Sequence, residues 1–512
     1  MGLPGESRAI SRIEADVVVV GGGGAGLAAA LEAAECGRRV ILLEKNPHLG
    51  GTTLLAVGSI SACRTPHQRR KGVEDSPEEF SEDMGLFNQQ RSLGNRDNLE
   101  LRRLLAEESP RTLQWLMELG LEFFGPMPEP PNRHPRMHNV LPNAGAYIYQ
   151  LARHARRRGV EFRLGMAAER LLTQGGRVTG VEARSPEGTI LEVMAHRGVI
   201  LATGDYSSSR EMKKMYLSPA VAEVEGINPA STGDGHRMAL EMGAQLLNGD
   251  LCWGPEIRFV APPRKLLISA LPPIKLLAKL MNVVASRLPA RLMRRVILSF
   301  LTSYLAPSPR LLEEGAILVN KAGCRFVNEL GEPALAIPHQ PDRVSFFVFD
   351  DRLARKFSAW PYFISTAPGV AYAFLADYRH NRRDIYAQAT GVDGLARALG
   401  VPAAAFSATV TAYNQSADEG HDKAFGRTPL GLGLKVAPFY ALGPAKSWVV
   451  FTDGGLAVTA RMEVLGQGGR VIPGLYAAGS AGQGGVLLQA HGLHLCWAFS
   501  SGRLAGRQAS SG

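Results

Sequence analysis

DVVVVGGGGAGLAAALEAAECGRRVILLEK, residues Asp16 to Lys45, is a complete strand–turn–helix–strand unit. Val17 to Val20 is a β-branched apolar run, as a buried parallel strand requires. Gly21, Gly23 and Gly26 follow at G-x-G-x-x-G spacing, with Ala25 inside the turn. Glycine suits a tight turn that a pyrophosphate approaches along bare backbone. Leu27 to Cys36 reads as a helix whose free N–H groups and positive dipole end face phosphate. Gly37 ends it, and Val40 to Leu43 returns as a second strand. Glu44 closes that strand eighteen residues after Gly26, where a carboxylate can accept ribose hydroxyls. A glycine turn between strand and helix, with the acid at this distance, marks a dinucleotide site far better than the glycines alone. The unit does not by itself separate FAD from NAD.

At 512 residues the chain exceeds one compact core, and about two or three domains are expected. Its 45% hydrophobic and 20% charged content is that of a globular protein. The five cysteines, Cys36, Cys63, Cys252, Cys324 and Cys496, include no C-x-x-C pair. That fits a reducing compartment and gives no disulfide framework, zinc cluster or other metal site. The start, MGLPGESRAISRIEAD, lacks an apolar signal core, so a cytoplasmic location is expected. The net charge of +10 is local. From 257 to 312 there are ten basic residues and no acidic one, and the remainder holds 47 of each sign. The charge therefore argues for one basic surface and not for nucleic-acid binding.

After Glu44 come Lys45, Asn46, Pro47, His48, Leu49, Gly50, Gly51, Thr52 and Thr53, then Gly58, Ser59, Ile60 and Ser61. This stretch resembles the FAD-dependent fumarate reductase, succinate dehydrogenase and ketosteroid dehydrogenase superfamily. The resemblance implies that Lys45, Gly50, Gly51, Thr52 and Thr53 lie along the FAD pyrophosphate and that Gly58 and Ser59 pass the isoalloxazine ring. Four further stretches extend it: the strand Val160 to Leu172, with Ala168 at adenine; the strand from Gly198 ending in Thr203 and Gly204; Thr232 to His236, with Asp234 opening a helix; and Gly474 to Gly479, followed by Ser480. A last helix, about Leu495 to Gln508, would aim its N-terminus, at Leu495 and Cys496, toward the flavin pyrimidine edge. The implied fold is α/β: a doubly wound Rossmann-type FAD-binding domain, residues 10–250 and 430–512, with an inserted α+β cap at 251–429. Within the cap, Gly315 to Glu329 reads as a hairpin turning at Asn320–Gly323, Ser345 to Asp350 as a strand and Leu395 to Gly420 as largely helical.

Bound FAD performs hydride chemistry, so the protein must place a C–H or C=C bond beside it and handle a proton. In the fumarate branch two arginines and two histidines clamp a dicarboxylate and relay that proton. Laid on this chain, their places fall at Pro255, about Pro333, Phe451 and His491. Carboxylates leave water only for charge-assisted, bidentate partners, so a cleft more apolar than a dicarboxylate site is expected. The ketosteroid dehydrogenase branch fits better, although its tyrosine after RFVNE is replaced by Leu330 to Pro333. The catalytic candidates are His491 and His494, in GGVLLQAHGLHLCW between the flavin glycines and the last helix. A histidine there can protonate an enolate or remove an α-proton near neutral pH. Asp453, in a TDGG turn, and Tyr372 are weaker candidates. His134 and His138, in the loop PPNRHPRMHN, read as surface residues.

The basic insert, 261–310, is divided by Pro272, Pro273 and Pro289 into two helical patterns. In the first, Lys275, Lys279, Asn282 and Ser286 form a polar stripe among Leu276, Leu277, Leu280, Met281, Val283 and Val284. In the second, Arg291, Arg295, Ser299 and Thr302 repeat it. The longest uncharged run, Val296 to Pro309, is 14 residues, too short to span a bilayer. The pair suits peripheral contact with an anionic membrane on its inner, cytoplasmic side, or an extra packing layer or oligomer contact; the absence of acids favours the membrane. Three functions stay in view: a flavoenzyme acting on a C–C bond next to a carbonyl of an apolar, steroid-like substrate; a dicarboxylate reductase with a rearranged site; and a flavoprotein without catalysis. The electron donor or acceptor is not legible in the sequence.

Overall fold

The computed structural model describes residues 11–263, 271–287, 298, 302, 305–367 and 371–511. Among the described residues nine strands precede residue 202: β1 (Ser11–Val20), β2 (Val40–Glu44), β3 (Ser59–Ser61), β4 (Glu122–Met127), β5 (Met137–Leu141), β6 (Glu161–Leu164), β7 (Ala167–Gln174), β8 (Arg177–Arg184) and β9 (Ile190–Leu201). The main sheet runs Glu463–Leu465, Val471–Ala477, β9, β1, β2, β6, with β8 and then β7 continuing from β9. The pairs from Val471–Ala477 to β6 are all parallel. Val17 to Val20 align with Val40 to Leu43 on one side and Gly198 to Leu201 on the other. Those valines are buried, as an apolar run covered on both faces should be. The stretch Val160 to Leu172, expected as one strand, is two: Gly165, at φ +69°, breaks it between β6 and β7.

Helix α1 (Gly24–Glu35) returns the chain from β1 to β2. It packs against the C-terminal helix, Leu493–Ser511. Gly502 and Gly506 recur at i, i+4 on that helix. A Cβ on either would come within 2.4 Å of Ala25 O or 2.3 Å of Ala29 O, so the glycines of GRLAGR let two backbones touch. Arg503 and Arg507 then close on the buried Glu32.

A second sheet runs Glu225–Gly226, Phe439–Val449, Ser345–Asp350, Ile317–Val319, with Glu256–Phe259 and Tyr386–Ala389 also paired to Phe439–Val449. Phe439–Val449 is thus the centre of the cap sheet, although the sequence placed it in the returning FAD-binding segment from 430. Nothing in its sequence, FYALGPAKSWV, assigns it to one sheet or the other. In Ser345–Asp350, Phe346 and Val348 enter one core while Phe347 and Phe349 enter the other, because successive side chains alternate. The 315–329 hairpin forms as a turn at Asn320–Gly323 with a single bridge, Val319 to Arg325. Its end supplies Glu329, buried against Arg325 and Arg427.

The first insert pattern is a helix, Lys275–Arg287. The second lies largely outside the described residues. Thr302 is described, and it is buried instead of forming a polar stripe: its Oγ1 donates to Leu298 O and its carbonyl accepts from Arg382. No helix among the described residues is long and apolar enough to cross a membrane.

Candidate active site

A cleft opens where β1, β2 and β9 end together. Gly21 to Ala25, Glu44 to Asn46, Gly51 to Thr53, Met166, Ala168, Thr203, Gly204, Asp234, Gly479 and Ser480 line it. The local backbone explains its floor. Gly21 has φ +109°, and a Cβ there would lie 2.3 Å from Ala202 O. Glu44 Oε2 accepts from Gly22 N at 2.7 Å, holding the turn against the end of β2. Thr53 Oγ1 accepts from Gly24 N at 3.1 Å and so caps part of α1. At the wall, Lys45 and Asp234 pair at 2.7 Å. Burial works against the Asp234 carboxylate, but the bond to Lys45 and its charge prevail and hold its pKa below the usual value.

A second group of polar residues stands at the start of the C-terminal helix. His491 O accepts from Ser61 Oγ at 2.7 Å, which ties the helix entrance to β3. His491 N and Nδ1 both meet Glu129 Oε1, at 3.0 and 2.5 Å. Glu129 is nearly buried, whereas the His491 side chain is 59% exposed. That hydrogen bond is the largest influence on the imidazole and raises its pKa above the ordinary value; desolvation and Arg258 oppose it, and Glu256 adds to it. His491 Nε2 has no hydrogen-bond partner among the described residues.

Further in, Asp453 is buried and accepts from Gln483 and Gln489 at 3.2 and 3.3 Å. Burial raises its pKa although both amides oppose the shift. Gln489 in turn accepts from Arg91, whose guanidinium lies 4.5 Å over Trp253. Trp253 Nε1 donates to Glu256, which also holds Arg258. His494 lies against Phe451, ring centroids 4.0 Å apart, and burial pushes its pKa down to about 4. Its Nε2 is buried with no hydrogen-bond partner among the described residues.

A family model described as the FAD binding domain matches residues 16–270 and 302–489. The chain belongs to the FAD binding domain family. It is 29% identical over 476 residues to the NADH:fumarate oxidoreductase of Klebsiella pneumoniae (strain 342), covering 91% of this chain and 44% of that protein. This chain therefore spans less than half of that relative's length. Two solved structures are also similar. The open conformation of a flavocytochrome c3 fumarate reductase matches with TM-score 0.69 and 27% identity, over 97% of this chain and 78% of that one. A 3-ketosteroid-Δ4-(5α)-dehydrogenase from Rhodococcus jostii, in complex with 4-androstene-3,17-dione, matches with TM-score 0.59 and 26% identity, over 99% of both chains.

The cofactor is FAD, and the cleft fits it on its own evidence. Thr203 Oγ1 is buried, has no hydrogen-bond partner among the described residues, and belongs to a residue lining the cleft. The first N–H groups of α1 have no intrahelical acceptor and open onto it. A Cβ on Gly23 would meet only Gly50 O and Gly51 Cα, each at 3.9 Å, so it would stand in the cleft. Of the residues expected to hold FAD, Gly26 and Gly50 shape the floor from behind: a Cβ on Gly26 would sit 1.8 Å from Gly21 O, and Gly50 N donates to Gly22 O. Gly58 and Ser59 lie beyond the lining, where Ser59 Oγ donates to Asn139 at 2.6 Å. Leu495 and Cys496 are buried in the core, and Ala498 lines the FAD cleft in their place. Asn46, Met166 and Ser231 line it too; nothing in their residue type marks them.

The structure brings His491, His494 and Asp453 into one region. Tyr372 is elsewhere: it lies in a cap ribbon and packs on Trp360 and Phe363. His138, expected at the surface, is fully buried, bonded to Thr65 at 3.1 Å. Glu129, Arg91, Gln489 and Glu256 escaped the sequence reading. Glu129 sits in the same proline-rich loop as His134, a composition that reads as exposed turn. The expected apolar cleft is mixed: Phe451 and Trp253 stand with Arg91, Arg258, Glu129 and Glu256.

Proposed function

We propose that the protein is a FAD-dependent oxidoreductase acting on a C–C bond next to a carbonyl, on a substrate less charged than a dicarboxylate. The His491–Glu129 pair carries this reading. Bound FAD supplies hydride transfer. Glu129 holds the imidazole by Nδ1 and leaves Nε2 for a substrate atom, the orientation a general acid or base needs. The raised pKa favours the protonated ring, which suits proton donation during reduction of an enone.

Two observations support a neutral substrate. Pro255, Phe451 and His491 occupy places where the fumarate branch carries clamp residues. Arg91 and Arg258 are engaged by Gln489 and Glu256, and the carboxylate of Glu129 would repel a dianion. A steroid-like enone, resembling the ligand of the Rhodococcus jostii dehydrogenase, is the favoured class. The rival reading is a dicarboxylate reductase, favoured by the presence of two guanidinium groups and by the name of the Klebsiella pneumoniae relative.

The test is reoxidation of the chemically reduced flavoprotein, without oxygen, by ketosteroid enones, simple enones and fumarate. The expected result is rapid reoxidation by a neutral enone and none by fumarate. His491→Ala should slow it about a hundredfold with flavin retained. Rapid reoxidation by fumarate alone would hand the site to the rival reading, and an unchanged rate in His491→Ala would remove the histidine.

A further inference from the structure

The insert helix Lys275–Arg287 carries an apolar stripe on its outer face. Leu276, Leu280, Val283 and Val284 recur at i, i+4, i+7 and i+8, so they share one face. That face is open to solvent: Leu276 is 78% exposed, Leu280 59%, and Ile274, just ahead of the helix, 54%. Lys275 and Lys279 border the stripe and Arg287 ends it, all exposed. The face turned to the protein holds Ala278, which is buried, Leu277 and Met281, which are half-buried, and Asn282, whose Nδ2 donates to Phe123 O at 3.2 Å. The helix is thus apolar on both faces, whereas a surface helix usually keeps its outer face polar.

We propose that this helix docks the protein in plane on a bilayer that contains anionic lipid. The stripe would enter the boundary between headgroups and acyl chains while the lysine ammonium groups stay among the headgroups. Charge selects this occupant. No acidic residue lies between 257 and 312, and nine basic residues of that interval remain once Arg258, held by Glu256, is set aside, which complements anionic headgroups and sets like charges together if a second copy of the chain docks there. The helix has 13 residues, about 20 Å, and lies on the surface without spanning it. Its contact at Phe123 is on β4, and Glu129 follows that strand by two residues. Docking would therefore hold the strand leading to Glu129 next to lipid.

The test uses the flavin-loaded 512-residue chain and vesicles of phosphatidylcholine, with or without roughly one third phosphatidylglycerol. Co-sedimentation with the anionic vesicles at low salt is expected, with loss in high salt and little binding to neutral vesicles. Leu276→Ser with Leu280→Ser should abolish it. Lys275→Gln with Lys279→Gln should weaken it about tenfold or more. Both variants should stay yellow, since neither touches the FAD cleft. Absence of binding to anionic vesicles at low salt would overturn the proposal. So would binding that both variants leave intact, or a dimer in solution that the serine variant splits while vesicles are ignored.

Discussion

His491 shows how one distant carboxylate sets the chemistry of a side chain. Alone in a loop, its imidazole would titrate near 6.5. Glu129 accepts from Nδ1 at 2.5 Å and stabilises the protonated form. The sign follows directly: the folded pKa lies above the unfolded one, so the pair adds stability below pH about 6.5 and loses it as pH rises through the folded pKa. A reduction that takes a proton from this ring should fall off over the same alkaline range. Glu129→Gln removes the charge but keeps an oxygen acceptor. The alkaline limb of the reoxidation rate is then expected to move down toward pH about 6.5 with flavin content unchanged. A limb that stays in place would mean the rate follows another group. His494, three residues beyond His491 but buried against Phe451, is neutral and better suited to shaping the wall than to holding a proton.

At the scale of elements, the nucleotide unit works because three backbones converge where no side chain intervenes. Gly26 lets α1 rest on the carbonyl of Gly21, and Gly502 and Gly506 let the C-terminal helix rest on α1. Gly26→Ala would place a methyl 1.8 Å from that carbonyl oxygen. A cost of about 1–3 kcal/mol or more is expected, with weakened FAD binding because α1 must move. Comparing flavin-to-protein ratio and thermal midpoint with the parent checks it; a fully yellow variant of unchanged midpoint would show that the turn relaxes without cost. This element was legible in the sequence because its determinants are local: strand, turn, helix and acid all lie within Asp16 to Lys45. The insert helix was legible only as an amphipathic pattern. Its period gives two faces, and neither period nor composition says which one packs on Phe123.

Across the whole molecule, two sheets divide the labour. The main sheet frames the FAD cleft, and the second is braced by buried charge: Arg427 meets Glu329 at 3.1 Å and Ala316 O at 2.8 Å, and Arg325 joins Glu329 to Asp422. Removing Arg427 leaves Glu329 to Arg325 alone and strips a donor from the Ala316 carbonyl, at about 1–3 kcal/mol. Arg427→Met should therefore lower the thermal midpoint by several degrees while the folded fraction keeps its flavin. An unchanged midpoint would show that water reaches Glu329.

The amino-acid order alone determined the parallel β1–α1–β2 unit and the glycine floor of the FAD cleft, because those follow from neighbours along the chain. Only the tertiary structure decided that Glu129 is the partner of His491, 362 positions away. It also decided that Phe439–Val449 serves the second sheet, that His138 is buried and that the insert helix turns leucines outward. Each of these depends on which distant segments meet. Such meetings are chosen by packing and desolvation across the whole fold, which no local spacing records.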